Sequence, residues 1–195
     1  MLGVPFERVA STFEEPQPTA EDHAAPERYV ARLARSKALR CDWNGEDLPP
    51  DFEARWHIVL AADTVVWHEG TILNKPRDEA EARAMLKKLC GSSHRVLTGI
   101  CLLNLGTQSD IISLAHEETH VHFAPRDEAW IARYVAMGEP MDKAGAYAAQ
   151  GMGSLLIEKI EGDFFNVVGL PLFKLSGMLR EAGVPIEGFW KAAST

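Results

Sequence analysis

The chain is poor in the features that mark several classes of protein. It has three cysteines, Cys41, Cys90 and Cys101, which show no metal-binding spacing and cannot all pair, so a reducing cytoplasm is the simplest setting. No apolar run approaches the roughly 20 residues of a membrane span. The first residues also lack the basic-then-apolar order of a signal peptide. Positive charge is scarce: 20 Lys and Arg stand against 28 Asp and Glu, for a net charge of −8. That balance argues against a nucleic-acid partner and against a basic membrane-binding patch. A small anionic substrate would therefore need a locally basic pocket, a divalent metal, or both. Internal repeats and low-complexity tracts are absent as well.

What is present is ordinary for a globular protein. The 195 residues, 46 % hydrophobic and 25 % charged, are enough for one compact α/β domain with two lobes around a cleft. "LGVPFERVAS" reads as a helix end, its glycine and a strand that closes at "STFEE" with Glu14; residues 16–26 read as a loop. A helix is expected from Pro26, where Val30, Leu33, Ala34 and Ala38 recur at helical spacing. Lys37 lies on or beside that apolar stripe. Either its stem packs while its amine reaches water, or the amine is aimed into a pocket. Residues 41–56 read as a turn-rich insertion flanked by Trp43 and Trp56, which suit packing. "HIVLAADTVV" follows as an apolar strand that carries one acid, Asp63, with Thr64 beside it.

Further on, "VVWHEGTIL" predicts a hairpin turning at Glu69-Gly70, and "RDEAEARAMLKKLCG" a helix with Asp78 as N-cap. Strands are expected over 94–105 and 111–123, joined at "GTQSD", and a helix over 127–137. "MDKAGAYAAQG" reads as a short helix or turn, "SLLIEKIEG" as a strand, and a final helix opens at Pro171. The order implies an α/β or α+β fold, with helices on the flanks of a sheet. "HEETH", residues 116–120, matches the zinc-protease pattern letter for letter. That chemistry needs a helix, whereas the surrounding "DIISLAHEETHVHFAP" alternates like a strand. On a strand, positions i and i+4 lie about 13 Å apart, too far for one zinc.

Polar residues concentrate where elements end: Asp63 and Lys75 ("ILNKP"), the group Asp142, Lys143, Gly145 and Gln150, and Glu14. Carboxylates that hold Mg²⁺ or Mn²⁺, together with lysines that offset phosphate charge, are what a polyphosphate site requires. One acid can also orient or deprotonate an attacking water.

Four stretches carry a resemblance: "YVARLARSKA", "VLAADTVVWHEGTILNKPRDEAEARAMLKKLCGSSHRVLTG", "YVAMGEPMDKAGAYAAQG" and "IEGDFFNVVGLPL". In this order, over about residues 20–175, they resemble the Maf family of nucleoside triphosphate pyrophosphatases, with only the 41–56 insertion breaking the spacing. The resemblance implies a two-lobed α/β fold, a mixed sheet flanked by helices, related to inosine triphosphate pyrophosphatases. It implies a metal-dependent cleft, with Mg²⁺ or Mn²⁺ as cofactor, that cuts a nucleoside triphosphate into monophosphate and pyrophosphate. Asp63 matches the family's water-activating aspartate and metal-site acid. Glu14 falls on a further metal position, and Lys37, Lys75, Thr64 and Gln150 on substrate positions. Thr64 and Gln150 also fit the branch that prefers dTTP and UTP. Sequence leaves the oligomeric state open, a homodimer included.

Family members begin with a strand, an S-x-S-P-R-R loop that grips phosphates, and a helix ending near "LG-x-P-F"; Met1 here aligns with the end of that helix. Two expectations follow. Either the native start lies upstream, or this is a short form: a catalytically impaired nucleotide-binding protein or a regulator in the septum-formation role associated with the family.

Overall fold

In the computed structural model, which describes residues 4–41, 58–104 and 110–190, the apolar run around Asp63 forms the strand β1 (Ile58–His68). Glu69 and Gly70 both adopt positive φ, 45° and 80°, the geometry of a two-residue hairpin turn whose twist matches its strands. The chain reverses there into β2 (Thr71–Leu73), with His68 opposite Thr71. α3 (Glu79–Leu89) is N-capped by Asp78, whose side chain accepts from the Glu81 amide. The Glu81 carboxylate binds the Arg77 amide at 2.7 Å rather than closing a capping box on Asp78. β3 (Ser93–Asn104) and β4 (Asp110–Phe123) then pair along their lengths. The rest of the chain folds as α4 (Glu128–Ala136), β5 (Ile157–Glu161), α5 (Phe164–Val168) and α6 (Leu172–Glu181). Most of the insertion at 41–56, with Trp43 and Trp56, lies outside the described residues, as does nearly all of the "GTQSD" connection.

The α/β layering is as expected. Within it the five-stranded sheet, ordered β2-β1-β3-β4-β5, is antiparallel at every described pairing rather than mixed. The hairpin explains the difference. β2 carries the chain away from the end of β1 and α3 brings it back, so β3 starts with Arg95 opposite Trp67 and runs the other way. The "HEETH" stretch lies within β4, with His116 and His120 exposed on the strand, which removes the zinc-protease geometry.

Two further expectations are corrected. Residues 4–10 form no strand, and only Ser11 makes a single bridge, to Cys41. Next to that bridge the Thr12 N–H donates to the Arg40 carbonyl, at the end of the following helix, at 2.9 Å, and not to the sheet. The expected loop at 16–26 contains a helix, α1 (Ala20–Ala24), closed by a reciprocal Thr19–Asp22 capping box. This T-x-x-D signature is legible in the sequence. α1 also covers the sheet edge: the His23 carbonyl accepts from Trp67 Nε1 and His23 Nδ1 accepts from the Ile72 amide, both at 2.9 Å. An otherwise bare edge N–H is thus satisfied.

α2 (Pro26–Leu39) lies across one face, with Tyr29, Val30 and Leu33 on Val65 and Leu97, and Ala34 and Ala38 on Val59 and Cys101. On the other face α3 and α4 cover Val66, Val96, Val121 and Phe123, and α6 covers Ile100 and Leu102. No helix among the described residues is long and apolar enough to cross a membrane. The closest approach between layers is at Gly99 of β3, where an added Cβ would fall 2.1 Å from the Val30 carbonyl oxygen. Only glycine lets the α2 backbone lie this near the sheet.

The core also holds an imidazole. His94 is 2 % exposed, lies edge-on to Phe123 at 4.7 Å, and meets the Tyr147 hydroxyl through Nε2 at 2.9 Å. Burial, then the neighbouring His68 and His122, hold its pKa down to about 3. Between that value and the ordinary 6.5 the unfolded chain binds a proton that the folded chain does not, so stability rises with pH across this window and is lost as pH falls.

Two measurements follow. Gly99→Ala should lower stability in urea denaturation by about 2 kcal/mol or more, the scale of overpacking at a backbone contact; an unchanged midpoint would show that α2 does not depend on the contact. His94→Gln, which cannot titrate, should remove up to about 1.4 kcal/mol per pH unit from the acid-side slope of stability. Parallel slopes for variant and wild type would contradict the buried neutral imidazole.

Candidate active site

β2 is short, and this opens a site. It pairs only with Val66, Trp67 and His68, so among the described residues no strand lies against the outer edge of β1 from Ala62 to Val65. A cleft of about 410 Å³ occupies that edge and takes walls from both faces of the sheet. Side chains alternate along β1. Asp63 therefore lies on the α2 face with Val65, while Thr64 lies on the opposite face with Val66.

The α2 side is charged. The Lys37 ammonium contacts Asp63 Oδ2 and lies 3.6 Å from a Glu15 carboxylate oxygen. Asp63 is 8 % exposed, and among the described residues no hydrogen bond of regular geometry reaches its Oδ2. Glu15 is pushed above the usual carboxylate range by burial and then by the charge of Asp63; Lys37 and Lys75 oppose the shift. Lys37 thus sits between two acids that repel each other. Lys75 and the Asp142–Lys143 ion pair, 2.7 Å long, add three more charges to the lining. Among the described residues no group of three or more His, Cys, Asp or Glu converges as a metal cage.

The opposite side is mostly apolar: Val66, Val96, Tyr147, Val167 and Val168, with Thr64 between them. A buried polar ladder fixes this wall. Asn166, fully buried, donates through Nδ2 to the Val96 carbonyl and to Thr119 Oγ1, each at 3.0 Å. Thr119 Oγ1 donates to the Asp163 carbonyl and accepts from the Asp163 amide, both at 3.1 Å. Thr98 Oγ1 lies 3.2 Å from the Asn166 carbonyl and 2.8 Å from Thr64 Oγ1. These bonds tie α5 to β3 and β4, so that residues 167–169 stand over Thr64.

The wall that carries Asp142 and Lys143 is held by Glu139. Its carboxylate accepts from Tyr134 Oη at 2.9 Å and from the amides of Met152 and Gly153 at 3.1 and 2.9 Å. Burial raises its pKa, but the Gly153 and Met152 amides and the Tyr134 hydroxyl outweigh that effect and leave the carboxylate below its usual range.

The residues expected from sequence divide cleanly. Asp63, Lys37, Thr64 and Lys75 line the one cleft, and Lys37 takes the second of its two readings, with its amine in the pocket. Glu14 and Gln150 are exposed and do not line it. In the extended segment before α1, Phe13 packs inward against the α2 core, so its i+2 neighbour Glu15 shares that side and Glu14 faces away. Gln150 follows the buried Ala148 and Ala149 and leaves the lining where residues 152–153 turn back to Glu139. Sequence reasoning missed Glu15, Asn74 and Thr98. The i+2 spacing from Phe13 was the available signal for Glu15, whereas nothing in the sequence marks Thr98.

Comparison with known proteins agrees with this geometry. The profile of the family described as Maf-like protein matches residues 1–182. A protein of Caldanaerobacter subterraneus subsp. tengcongensis named dTTP/UTP pyrophosphatase is 46 % identical over 188 residues, covering 96 % of this chain and 84 % of its own. Proteins of the same name from Caldicellulosiruptor saccharolyticus and Methanosarcina mazei are each 41 % identical, over 183 and 186 residues. The alignments cover 93 and 95 % of this chain and 86 and 87 % of theirs. A match of this extent, on a chain whose cleft gathers Asp63, Lys37 and Lys75, establishes the lineage: the protein belongs to the Maf family.

Proposed function

We propose that the protein is a dTTP/UTP pyrophosphatase, which hydrolyses the nucleoside triphosphate between its α- and β-phosphates to a monophosphate and pyrophosphate. The observation that carries the reading is the meeting of Asp63, Lys37 and Glu15 at the open edge of β1, opposite an apolar wall, in a member of a family whose relatives bear that name. The charged half takes the triphosphate and the apolar half the base and sugar. Three free thiols, Cys41, Cys90 and Cys101, are in keeping with action in the cytoplasm.

Asp63 acts as the base. It takes a proton from the attacking water as the water oxygen bonds to phosphorus; the anhydride P–O bond breaks and its electron pair leaves with the departing phosphate group. Lys37, Lys75 and Lys143 offset the charge that gathers on the phosphate oxygens. In the free protein Asp63 and Glu15 share the Lys37 ammonium. A triphosphate competes for that ammonium and releases Asp63 to accept the proton.

The acids fit a divalent cation. Glu15 and Asp63 converge on the Lys37 ammonium, so two carboxylates face one point of the cleft. Mg²⁺ and Mn²⁺ take oxygen ligands, often one or two carboxylates with waters and substrate phosphates, so a full protein cage is not required. Glu15 and Asp63 would hold the ion; Glu14, the acid expected from sequence, lies outside the cleft lining. When bound, the ion supplies charge neutralisation at the phosphates and a more acidic water.

Asp63→Asn should lower pyrophosphate release from UTP or dTTP by about 10²–10⁴-fold without shifting thermal unfolding; undiminished turnover would remove Asp63 from the mechanism. Chelation should abolish turnover, and added Mg²⁺ or Mn²⁺ should restore it. Glu15→Gln should raise the half-saturating Mg²⁺ concentration by at least about tenfold, the scale on which even supporting groups of a metal site act, and Glu14→Gln should leave it unchanged. The reverse ranking would return the metal to Glu14.

A further inference from the structure

Thr98 is fully buried beneath Thr64 and touches nothing that enters the cleft, yet its hydroxyl decides what Thr64 offers there. A threonine hydroxyl has one proton to give and two lone pairs with which to accept. Thr98 Oγ1 has two close partners: the Asn166 carbonyl oxygen at 3.2 Å, which can only accept, and Thr64 Oγ1 at 2.8 Å. Both contacts become hydrogen bonds only if Thr98 donates to Asn166 and Thr64 donates to Thr98. The reverse order forfeits the Asn166 bond and leaves the Thr64 proton only the Gly169 carbonyl, at 3.5 Å the outer limit of a hydrogen bond and too weak to hold the hydroxyl by itself. The proton of Thr64 is therefore spent inside the wall, and a lone pair faces the cleft.

We infer that Thr98 is a positioning residue that fixes Thr64 as a hydrogen-bond acceptor, and that Thr64 thereby reads the ring N3–H of a uracil or thymine base. The inference rests on the pyrophosphatase reading, which puts the base on the apolar side where Thr64 lies between Val66, Val96 and Val167. Uracil and thymine present N–H at ring position 3. Cytosine presents a lone pair at the same place, so it meets the Thr64 acceptor with repulsion and an unmade bond. A site built around one substrate N–H discriminates more strongly than one built on shape alone, because a mismatched ligand leaves buried polar groups unpaired.

The test compares UTP, CTP and N3-methyl-UTP, in which a methyl group replaces the N3 hydrogen. Wild type should bind and hydrolyse UTP at least about tenfold better than either analogue. Thr98→Val keeps the shape but frees the Thr64 hydroxyl to turn and donate, so the UTP:CTP ratio of kcat/KM should fall several-fold, with the change mainly in KM. Thr98→Ser should restore the ratio. A merely structural Thr98 predicts equal losses on UTP and CTP, with the ratio unmoved, and that result overturns the inference. Equal affinity of wild type for UTP and N3-methyl-UTP overturns it too, whether or not Thr98→Val folds. Calorimetric binding of the three nucleotides separates the two readings: absent turnover sinks the pyrophosphatase, whereas the binding ratio alone judges Thr98.

Discussion

The contact of the α2 backbone with the sheet at Gly99 sets where Lys37 meets Asp63 in the charged half of the cleft. With no Cβ at Gly99, the Val30 carbonyl settles directly onto β3, opposite the point where Asp63 pairs with Gly99 on β1. Lys37 lies about two helical turns beyond Val30, and from there its stem reaches back over the neighbouring strand to the Asp63 carboxylate. A side chain at Gly99 would lift the helix, and the ammonium would move with it. A stability contact in the core and the electrostatics of the site are thus the same contact.

The second organising constraint is a strand that stops early. β2 reaches only to Leu73, opposite Val66, and a longer β2 would close the edge of β1 where Asp63 and Thr64 lie. An uncovered edge exposes unpaired backbone, and here the molecule turns that liability into a cleft with access to both faces of the sheet. Adjacent residues of one strand consequently do different work: Asp63 faces charge on the α2 side, and Thr64 faces valines and the α5 wall. The buried Thr98–Asn166–Thr119 ladder holds that second wall in place, since breaking any of its bonds would leave a buried polar group without a partner.

Much of the architecture was legible in the chain. The spacing of Val30, Leu33, Ala34 and Ala38 marked α2, Asp78 marked the start of α3, and Glu69-Gly70 marked the hairpin. These are local signals, carried by periodicity, caps and turns. The early strand failed for a non-local reason: alternation in "VPFERVAS" is satisfied in sequence, but its backbone partner proved to be the end of α2 and not a sheet edge. The α1 helix was missed although its Thr19–Asp22 capping box could be read, because proline and acid content in residues 16–26 suggested a loop. Of the candidate site residues, Asp63, Lys37, Thr64 and Lys75 line the cleft. Glu14 stood one residue from the acid that enters the cleft, an offset that only side-chain alternation in an extended segment decides.

By itself the sequence determined most of the elements, the family and the candidate residues Asp63, Lys37 and Lys75, because each of these is written in contiguous residues whose meaning does not depend on what lies across the fold. Only the tertiary structure decided that every described strand pairing is antiparallel, that Glu15 rather than Glu14 faces Asp63, and that Thr98 stands behind Thr64. Those facts depend on which face a side chain takes and on what packs within a few ångströms of it. Such distances are set by Gly99 against Val30 and by the Asn166 ladder, contacts between residues that are far apart in the chain.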